Sequence, residues 1–161
     1  MSMPEWLPPL LEFQDHGGNW DAYLEAVYAC FRKDFIISAP YFGGRPVRLK
    51  KHPMYEGKEA TFWHCVSSGE VESERLPDFR RMERIPWIRP CIEHKTELKV
   101  WSESRGKNGQ EERVHLWLEE EGYLIVLAIR SGYAVLWTAF VVEHDHQRRK
   151  YTKRYEANRP S

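Results

Sequence analysis

The last third of the chain contains four consecutive runs rich in β-branched and aromatic residues, and this pattern constrains the fold most. The runs are ELKVWSES, ERVHLWLEE, YLIVLAIRS and YAVLWTAFVVE. They are separated by RGKNGQ, EEG and SGY, which are typical turn sequences. The pattern predicts a four-stranded antiparallel meander. The last two runs are almost continuously apolar, so we expect them to be central, with helices covering at least one face.

Helical spacing precedes these strands. Residues 19–36 place aromatic and aliphatic side chains at steps of three and four, with Asn19 as the N-cap, and predict an amphipathic helix. A short strand is predicted around Arg45 to Leu49, and a short helix over 59–67 with Gly69 as its C-terminal cap. The segment from 75 to 95 contains prolines that divide it into two short helical pieces.

These elements fit one domain of the α+β class in a chain of 161 residues. Residues 1–18 are expected to be an irregular lead-in because prolines interrupt them, and residues 158–161 a tail. Between them, residues 19–157 are predicted to form N-terminal helices packed on the four-stranded antiparallel sheet, followed by a basic C-terminal helix over 145–157.

Charge and cysteine content indicate which partners and which cellular compartment to expect. The formal net charge is 0, yet RPVRLKK (45–51) and QRRKYTKRY (147–155) are strongly basic, so a neutral total can hide a basic face for phosphates. Three cysteines favour free thiols in a reducing compartment. No apolar run reaches the roughly 20 residues of a membrane helix, and the first residues lack a signal-peptide pattern. We therefore expect a cytoplasmic protein.

His64, in EGKEATFWHCVSSG, is the first candidate for chemistry. An imidazole titrates near neutrality and can exchange a proton at cytoplasmic pH, and Lys58 and Glu59 lie about one turn away. The alternative is a partly buried, hydrogen-bonded core histidine between Trp63 and Cys65, and this fragment alone does not separate the two.

The arginine-rich segment RRMERIPWIRP (80–90) is the second candidate. Its four guanidiniums, of Arg80, Arg81, Arg84 and Arg89, exceed what Glu83 can neutralise, and guanidinium is well shaped to hold phosphate. Trp87 stands between two prolines and is a candidate for stacking on an unpaired base. A solvated helix face and packing of Trp87 against the sheet explain the same residues equally well.

Polar residues at the ends and interior of the apolar strands are the third candidates. Arg130 ends the run YLIVLAIRS, and the turn Ser131-Gly132 brings Tyr133 beside it. Thr138 interrupts VLWTAF, either as a functional hydroxyl or as a β-branched residue bonded to backbone. In the basic C-terminal segment, Arg148 is a candidate substrate contact, and Tyr151 and Tyr155 are interleaved with the cations.

Other chemistries lack their usual signatures. The pairs Cys91-x-x-His94, His64-Cys65 and His144-x-His146 do not have the spacing of a structural zinc site, so no metal is expected. The chain has no Walker or Rossmann glycine pattern, no HExxH and no GxSxG, and no cofactor is predicted.

Taken in order, HP..EGKEATFWH, RIPWIRPCIEH, LWLEEEGYLIVL and YAVLWTAFVVE, followed by the basic segment, resemble phage and prophage proteins of the barnase-EndoU-colicin-RelE-like nuclease superfamily. The resemblance covers about residues 45–156. It implies a small α+β protein, helices first and an antiparallel sheet after, and a metal-independent endoribonuclease, in many members a toxin that an antitoxin or immunity protein neutralises.

The resemblance also implies a site that combines a helix-borne histidine with strand-borne cations and hydroxyls. The matching positions are His64, Arg130 and Thr138, with Arg84 a weaker match and His94 a fallback histidine. In this hypothesis His64 is either the base for the 2'-hydroxyl or the acid for the leaving oxygen. Arg130 and Arg84 hold the phosphate, while Thr138 orients an oxygen or the imidazole. Substrate contacts are expected from Lys58, Trp87, Tyr133 and Arg148.

A rival hypothesis is a prophage-derived module that binds RNA or a protein without cleaving. The basic C-terminal helix with interleaved tyrosines is sufficient for an electrostatic grip on RNA. Cleavage of labelled RNA in EDTA separates the two hypotheses.

Overall fold

The computed structural model describes residues 3–159, in which short helices precede a long meander and one more helix follows it. The helices are α1 (Trp20–Arg32), α2 (Ala60–Val66), α3 (Phe79–Glu83), α4 (Ile88–Glu93) and α5 (Asp145–Asn158). The strands are β1 (Tyr41–Phe42), β2 (Arg45–Leu49), β3 (Ser67–Ser68), β4 (Leu76–Pro77), β5 (Lys99–Arg105), β6 (Glu111–Leu118), β7 (Tyr123–Arg130) and β8 (Tyr133–Val141). The α+β class is confirmed.

The main sheet has six strands in the order β1-β2-β8-β7-β6-β5. The meander from β5 to β8 is antiparallel as predicted, and its two most apolar strands, β7 and β8, are central. The expectation of a four-stranded antiparallel sheet is wrong in two respects. The predicted strand Arg45–Leu49 joins the sheet parallel to β8, and β1 extends it further. A parallel pair needs a long crossover, here the helical region, which turn chemistry does not reveal.

The two faces of the sheet differ in what covers them. Alternate residues of β7, namely Tyr123, Ile125 and Leu127, contact the core formed with α1 to α4. Leu124 and Val126 face the opposite side, where they pack with Trp101, Trp117 and Val142 beneath α5. The helical layer therefore lies on one face, and α5 alone lies on the other.

Side-chain caps begin two of the five α-helices of the described chain. The Asn19 side chain accepts a hydrogen bond from the backbone N–H of Ala22 at 3.0 Å, which confirms the predicted N-cap. Asp78 caps α3 in the same way, through the N–H of Arg81 at 3.2 Å. Helix α2 ends at Val66 and continues directly into β3, so the predicted cap at Gly69 is wrong.

The proline-rich N-terminal segment is irregular, apart from one turn of 3-10 helix, yet it covers the core. Leu7 is buried, and the Trp87 indole N–H donates to the carbonyl of Pro8 at 2.8 Å. The Tyr23 hydroxyl donates to the carbonyl of Leu11 at 2.7 Å. At the other end, the predicted basic helix is present as α5; residues 1–2 and 160–161 lie outside the described chain. No helix between residues 3 and 159 has the length and apolarity to traverse a bilayer.

Candidate nucleic-acid interface

His64 and Thr138 meet where α2 crosses the edge of β8. The Thr138 hydroxyl donates to the backbone carbonyl of His64 at 3.4 Å. Guanidinium groups of Arg75 and Arg81 donate to the same carbonyl at 3.3 and 3.0 Å. Cations at the carboxyl end of a helix satisfy its last carbonyls and oppose its dipole. These arginines therefore hold the end of α2, and Thr138 bonds backbone, as its structural alternative predicted.

Arg130 does not join His64. It ends β7 opposite Tyr133, and its guanidinium contacts Glu111 at 2.8 Å. Alternation along β7 puts it on the face that bears α5, away from the helical layer. Thr138 pairs with Val126, four residues from Arg130, a separation of about 13 Å along the strand. The expected convergence of His64, Arg130 and Thr138 is therefore wrong for Arg130.

Arg84 and Trp87 are engaged in packing. Trp87 is 1% exposed, so it cannot stack on a base, and that expectation is wrong. The Arg84 guanidinium lies 5.0 Å from the centroid of the Trp87 ring. It also donates to the carbonyl of Arg80 at 3.0 Å and contacts the Glu83 carboxylate at 3.4 Å. The arginine-rich segment thus joins α3 to the helices after it.

Lys58 is also buried, so its expected contact with substrate is not met. Its ammonium lies 2.9 Å from the Glu25 carboxylate and 5.1 Å from the centroid of the Tyr28 ring. The Tyr28 hydroxyl in turn donates to Glu59 at 2.9 Å. This network joins α1 to the start of α2.

Arg148 and the fallback His94 are held by neighbouring backbone. The Arg148 guanidinium donates to the carbonyl of Val142 at 2.7 Å and occupies the space where a side chain on Gly122 would be. The His94 ring stacks on Trp6 at 4.5 Å, and its Nδ1 lies 2.9 Å from the carbonyl of Pro90. Arg148 therefore fixes α5 to the turn between β6 and β7.

Tyr133, by contrast, belongs to an accessible patch on the α5 face, which we call the strand platform. It comprises Arg48, Arg113, Arg130, Tyr133 and Trp137. The Arg48 guanidinium carbon lies 5.1 Å from the centroid of the Tyr133 ring, and that of Arg113 lies 4.0 Å from the centroid of Trp137. Arg48 is exposed and the other four are half-buried. The patch thus presents two pairs of aromatic ring and guanidinium.

Strand register brings these residues to one face. Arg113 pairs with Ala128, Ala128 with Val135, and Val135 with Arg48, which forms one row across four strands. A bulge in β8 follows, because Val126 pairs with Thr138 while Leu127 pairs with Leu136. Trp137 shares this face without the bulge, because Tyr133, Val135 and Trp137 alternate with the core residues Ala134 and Leu136.

The platform and its border carry an excess of positive charge. Glu111 contacts both Arg113, at 3.0 Å, and Arg130. Glu103 likewise contacts Arg105 at 3.0 Å and Arg154 at 2.8 Å. Each carboxylate therefore serves two guanidiniums. Together with Arg48, five cations face two anions, which leaves three positive charges on this half of the face.

His115 lies at the border of the platform, beneath α5, and is 4% exposed. Its ring stacks on Trp101 at 5.0 Å, and Arg154 lies 3.4 Å from Nε2. Burial lowers the pKa of His115 to about 4. Burial raises the pKa of the Glu103 carboxyl, but hydrogen bonds from Arg154 and Trp101 outweigh this and lower that pKa to about 2. At neutral pH the imidazole is therefore neutral and the carboxylate charged, an arrangement that fixes α5 to the sheet.

Helix α5 adds a cationic surface beside the platform. Its inner side packs Tyr151 and Tyr155 against buried tryptophans of the sheet. Its outer side exposes Arg149, Lys150 and Lys153, at helical spacing along one face. Because Arg154 links α5 to Glu103, this surface begins next to the platform. A polyanionic strand can contact both.

Sequence reasoning identified Arg130, Tyr133 and α5 but missed Arg48, Arg113 and Trp137. One signal was available for Arg113. In ERVHLWL it lies two residues before His115 and four before Trp117, so it shares their face of the strand. Trp137 carried the same kind of signal, because in YAVLW it lies four residues after Tyr133 and so shares its face of the strand.

A search for metal-ligand clusters in the described chain and comparisons with known proteins did not identify a further site or a related protein. No three histidine, cysteine or carboxylate side chains of residues 3–159 lie close enough to share a metal ion. Comparisons with protein-family models, with curated proteins and with solved structures found no match to this chain.

Proposed function

We propose that this protein is an RNA-binding module that holds single-stranded RNA on the strand platform. The observation that carries the proposal is the pair of aromatic rings, Trp137 and Tyr133, each with a guanidinium against it, on an accessible sheet face with excess positive charge. Unpaired bases stack on aromatic rings and guanidinium planes, while cations contact the phosphates. The cations of α5 extend the contact along the strand.

Magnitudes favour this function over a purely electrostatic grip by α5. Stacking contributes about 1–3 kcal/mol per base and depends little on base identity. Phosphate contacts add a salt-dependent attraction but little selectivity for unpaired bases. A protein that uses both should prefer single strands to duplexes, because duplex bases are already stacked on one another. The choice of RNA over DNA follows the sequence resemblance and is itself tested below.

Fluorescence anisotropy with labelled oligonucleotides tests the proposal. Trp137→Ala and Tyr133→Ala should each weaken binding of single-stranded RNA by roughly 5- to 150-fold, the equivalent of one lost base stack. Tyr55→Ala is the matched control, because Tyr55 is 62% exposed and lies on the helical side. Equal affinities for all four proteins would remove the platform from the function. DNA of the same sequence and duplex RNA should bind more weakly.

A second candidate, the metal-independent endoribonuclease, rests on the sequence resemblance and on two guanidiniums, of Arg75 and Arg81, that lie beside His64 at its backbone carbonyl. In this mechanism the imidazole of His64 draws the proton from a 2'-hydroxyl, and the 2'-oxygen attacks the phosphorus to form a cyclic phosphate. The bond from phosphorus to the 5'-oxygen breaks, and that oxygen takes a proton from the imidazolium or from water. Neighbouring cations would stabilise the charge on the phosphate. A toxin role, a neutralising partner protein and a cytoplasmic location likewise stay predictions from the sequence.

Incubation of the purified protein with labelled RNA in EDTA separates the candidates. The ribonuclease predicts cleavage products with cyclic or 3'-phosphate ends, and a loss of about 10²–10⁴-fold in rate for His64→Ala. The binding module predicts intact RNA. Cleavage that survives undiminished in His64→Ala would remove His64 from the catalytic site.

A further inference from the structure

An apolar cleft lies on the helical side of the molecule, away from the strand platform. Its volume is about 530 Å³, within the range of roughly 300–1,000 Å³ of small-molecule sites. Trp20 and Leu24 of α1 form one wall, and Trp63 of α2 forms another. The loop that carries Met54 and Tyr55 forms the rim, where these side chains are 43% and 62% exposed. The cleft is therefore lined by apolar surface that is open to solvent.

The rim loop is anchored to α2, so the cleft is preformed. The indole N–H of Trp63 donates to the carbonyl of Tyr55 at 3.0 Å. The Tyr55 and Trp63 rings also pack edge to face at 5.5 Å. A preformed apolar cleft binds a ligand without the cost of ordering the loop.

Charge in the cleft is one-sided. Among the described residues that line it, Arg75 is the only charged one. Its guanidinium donates to neutral oxygens, including the carbonyl of Gly69 at 2.7 Å and the hydroxyl of Ser67 at 3.0 Å. Among the lining residues whose side chains are described, none is a carboxylate. A negative group on a ligand would meet the Arg75 cation in partly apolar surroundings, where charge attraction is strong.

A second guanidinium, that of Arg81, lies next to Arg75 and adds positive charge to this wall of the cleft. Arg81 donates to the carbonyls of His64 and Ser67 at 3.0 and 2.7 Å, and Arg75 donates to the same two carbonyls. Asp78 balances one of the two charges at 3.6 Å from Arg81. Burial lowers the pKa of Arg81; Asp78 opposes this, and the charge of Arg75 adds to it. Two guanidiniums therefore lie together at this wall, held by the same two carbonyls.

We propose that the cleft binds a small amphipathic carboxylate, with its apolar body between Trp20, Trp63 and Met54 and its carboxylate toward Arg75. Two sources have this chemistry: a free aliphatic or aromatic acid, and the C-terminal carboxylate of a peptide that ends in an apolar residue. The site is independent of RNA binding, because the platform lies on the other face of the sheet.

Isothermal titration calorimetry with matched pairs of ligands tests the proposal. Decanoate represents the free acids and N-acetyl-phenylalanine the peptide C-terminus; decanamide and N-acetyl-phenylalaninamide are their neutral counterparts. We expect saturable binding of at least one acid, about tenfold tighter than its amide, because the amide lacks the charge that Arg75 attracts. The acid that binds identifies the source.

Charge reversal at the rim provides the protein variant. Met54→Glu places a carboxylate at the cleft without disturbing the core, since Met54 is 43% exposed. It should weaken binding of the acid by about tenfold and bring it to the level of the amide. Ile37→Glu, at a site 66% exposed and outside the cleft, should bind the acid as the wild type does. Absence of binding by both acids, equal binding of acid and amide, or an unchanged affinity in Met54→Glu would each overturn the proposal.

Discussion

The buried imidazole of His115 makes the stability of the fold depend on pH. Burial lowers its pKa from 6.5 to about 4, so the folded protein keeps it neutral where the unfolded chain already protonates it. The unfolded state then binds more protons, and the free energy of unfolding falls as the pH decreases from about 6.5 to about 4. Stability from this group is fully present above the higher of these values.

The size of the effect follows from the two pKa values. At about pH 5, protonation stabilises an imidazole of pKa 6.5 by RT times the logarithm of about 30, which is roughly 2 kcal/mol. The folded imidazole, with a pKa of about 4, gains only about 0.1 kcal/mol. His115 therefore accounts for a loss of about 2 kcal/mol between about pH 7.5 and about pH 5. The lowered pKa of Glu103 affects stability only at more acidic pH, below its unfolded value of 4.5.

Urea unfolding followed by tryptophan fluorescence measures this loss. His115→Gln removes the titrating group and keeps an acceptor for Arg154, so its stability should change with pH by about 2 kcal/mol less than that of the wild type. His146→Gln is the control, because His146 is exposed on α5 and its removal should leave the wild-type pH dependence. If wild type and His115→Gln lose the same stability on acidification, the imidazole is not buried in a neutral form beneath α5.

Four further substitutions test other parts of the structure. Trp87→Ala should lower the free energy of unfolding by about 3–5 kcal/mol, measured by urea titration, because Trp87 is 1% exposed in the core. Thr61→Val should cost about 1–3 kcal/mol in the same assay, since the buried Thr61 hydroxyl accepts from the N–H of Lys50 at 2.7 Å. Lys150→Gln and Lys153→Gln should each reduce the slope of log affinity for single-stranded RNA against log salt by about 0.7, with the exposed Arg32→Gln as a control that leaves it unchanged.

Local sequence chemistry was sufficient for most secondary structure. Turn residues set the meander, and Asn19 begins α1 as predicted, because these features depend on neighbours in the chain. The parallel pairing of β2 with β8 could not be predicted, because residues more than 80 positions apart form it and no local signal specifies the partner. The same pairing brings Arg48 to the platform.

The candidate site was harder to predict, because it depends on which side chains point toward the core and which point toward solvent. Trp87 lies in the core, whereas Trp137 lies half-buried on the platform. Alternation in the sequence places Trp137 on the face of Tyr133, but it does not specify which face the helices cover or which strands lie beside it. The order of strands and the position of α5 decide this, and both are properties of the assembled sheet.

Nuclear magnetic resonance of the seven tryptophan indole N–H groups tests the central claim most directly. On titration with a short single-stranded RNA, the account predicts a large shift of the Trp137 resonance and unchanged positions for Trp20 and Trp63, which line the cleft on the helical side. A Trp137 resonance that stays in place while Trp63, next to His64, shifts would contradict the platform and place the RNA on the opposite face.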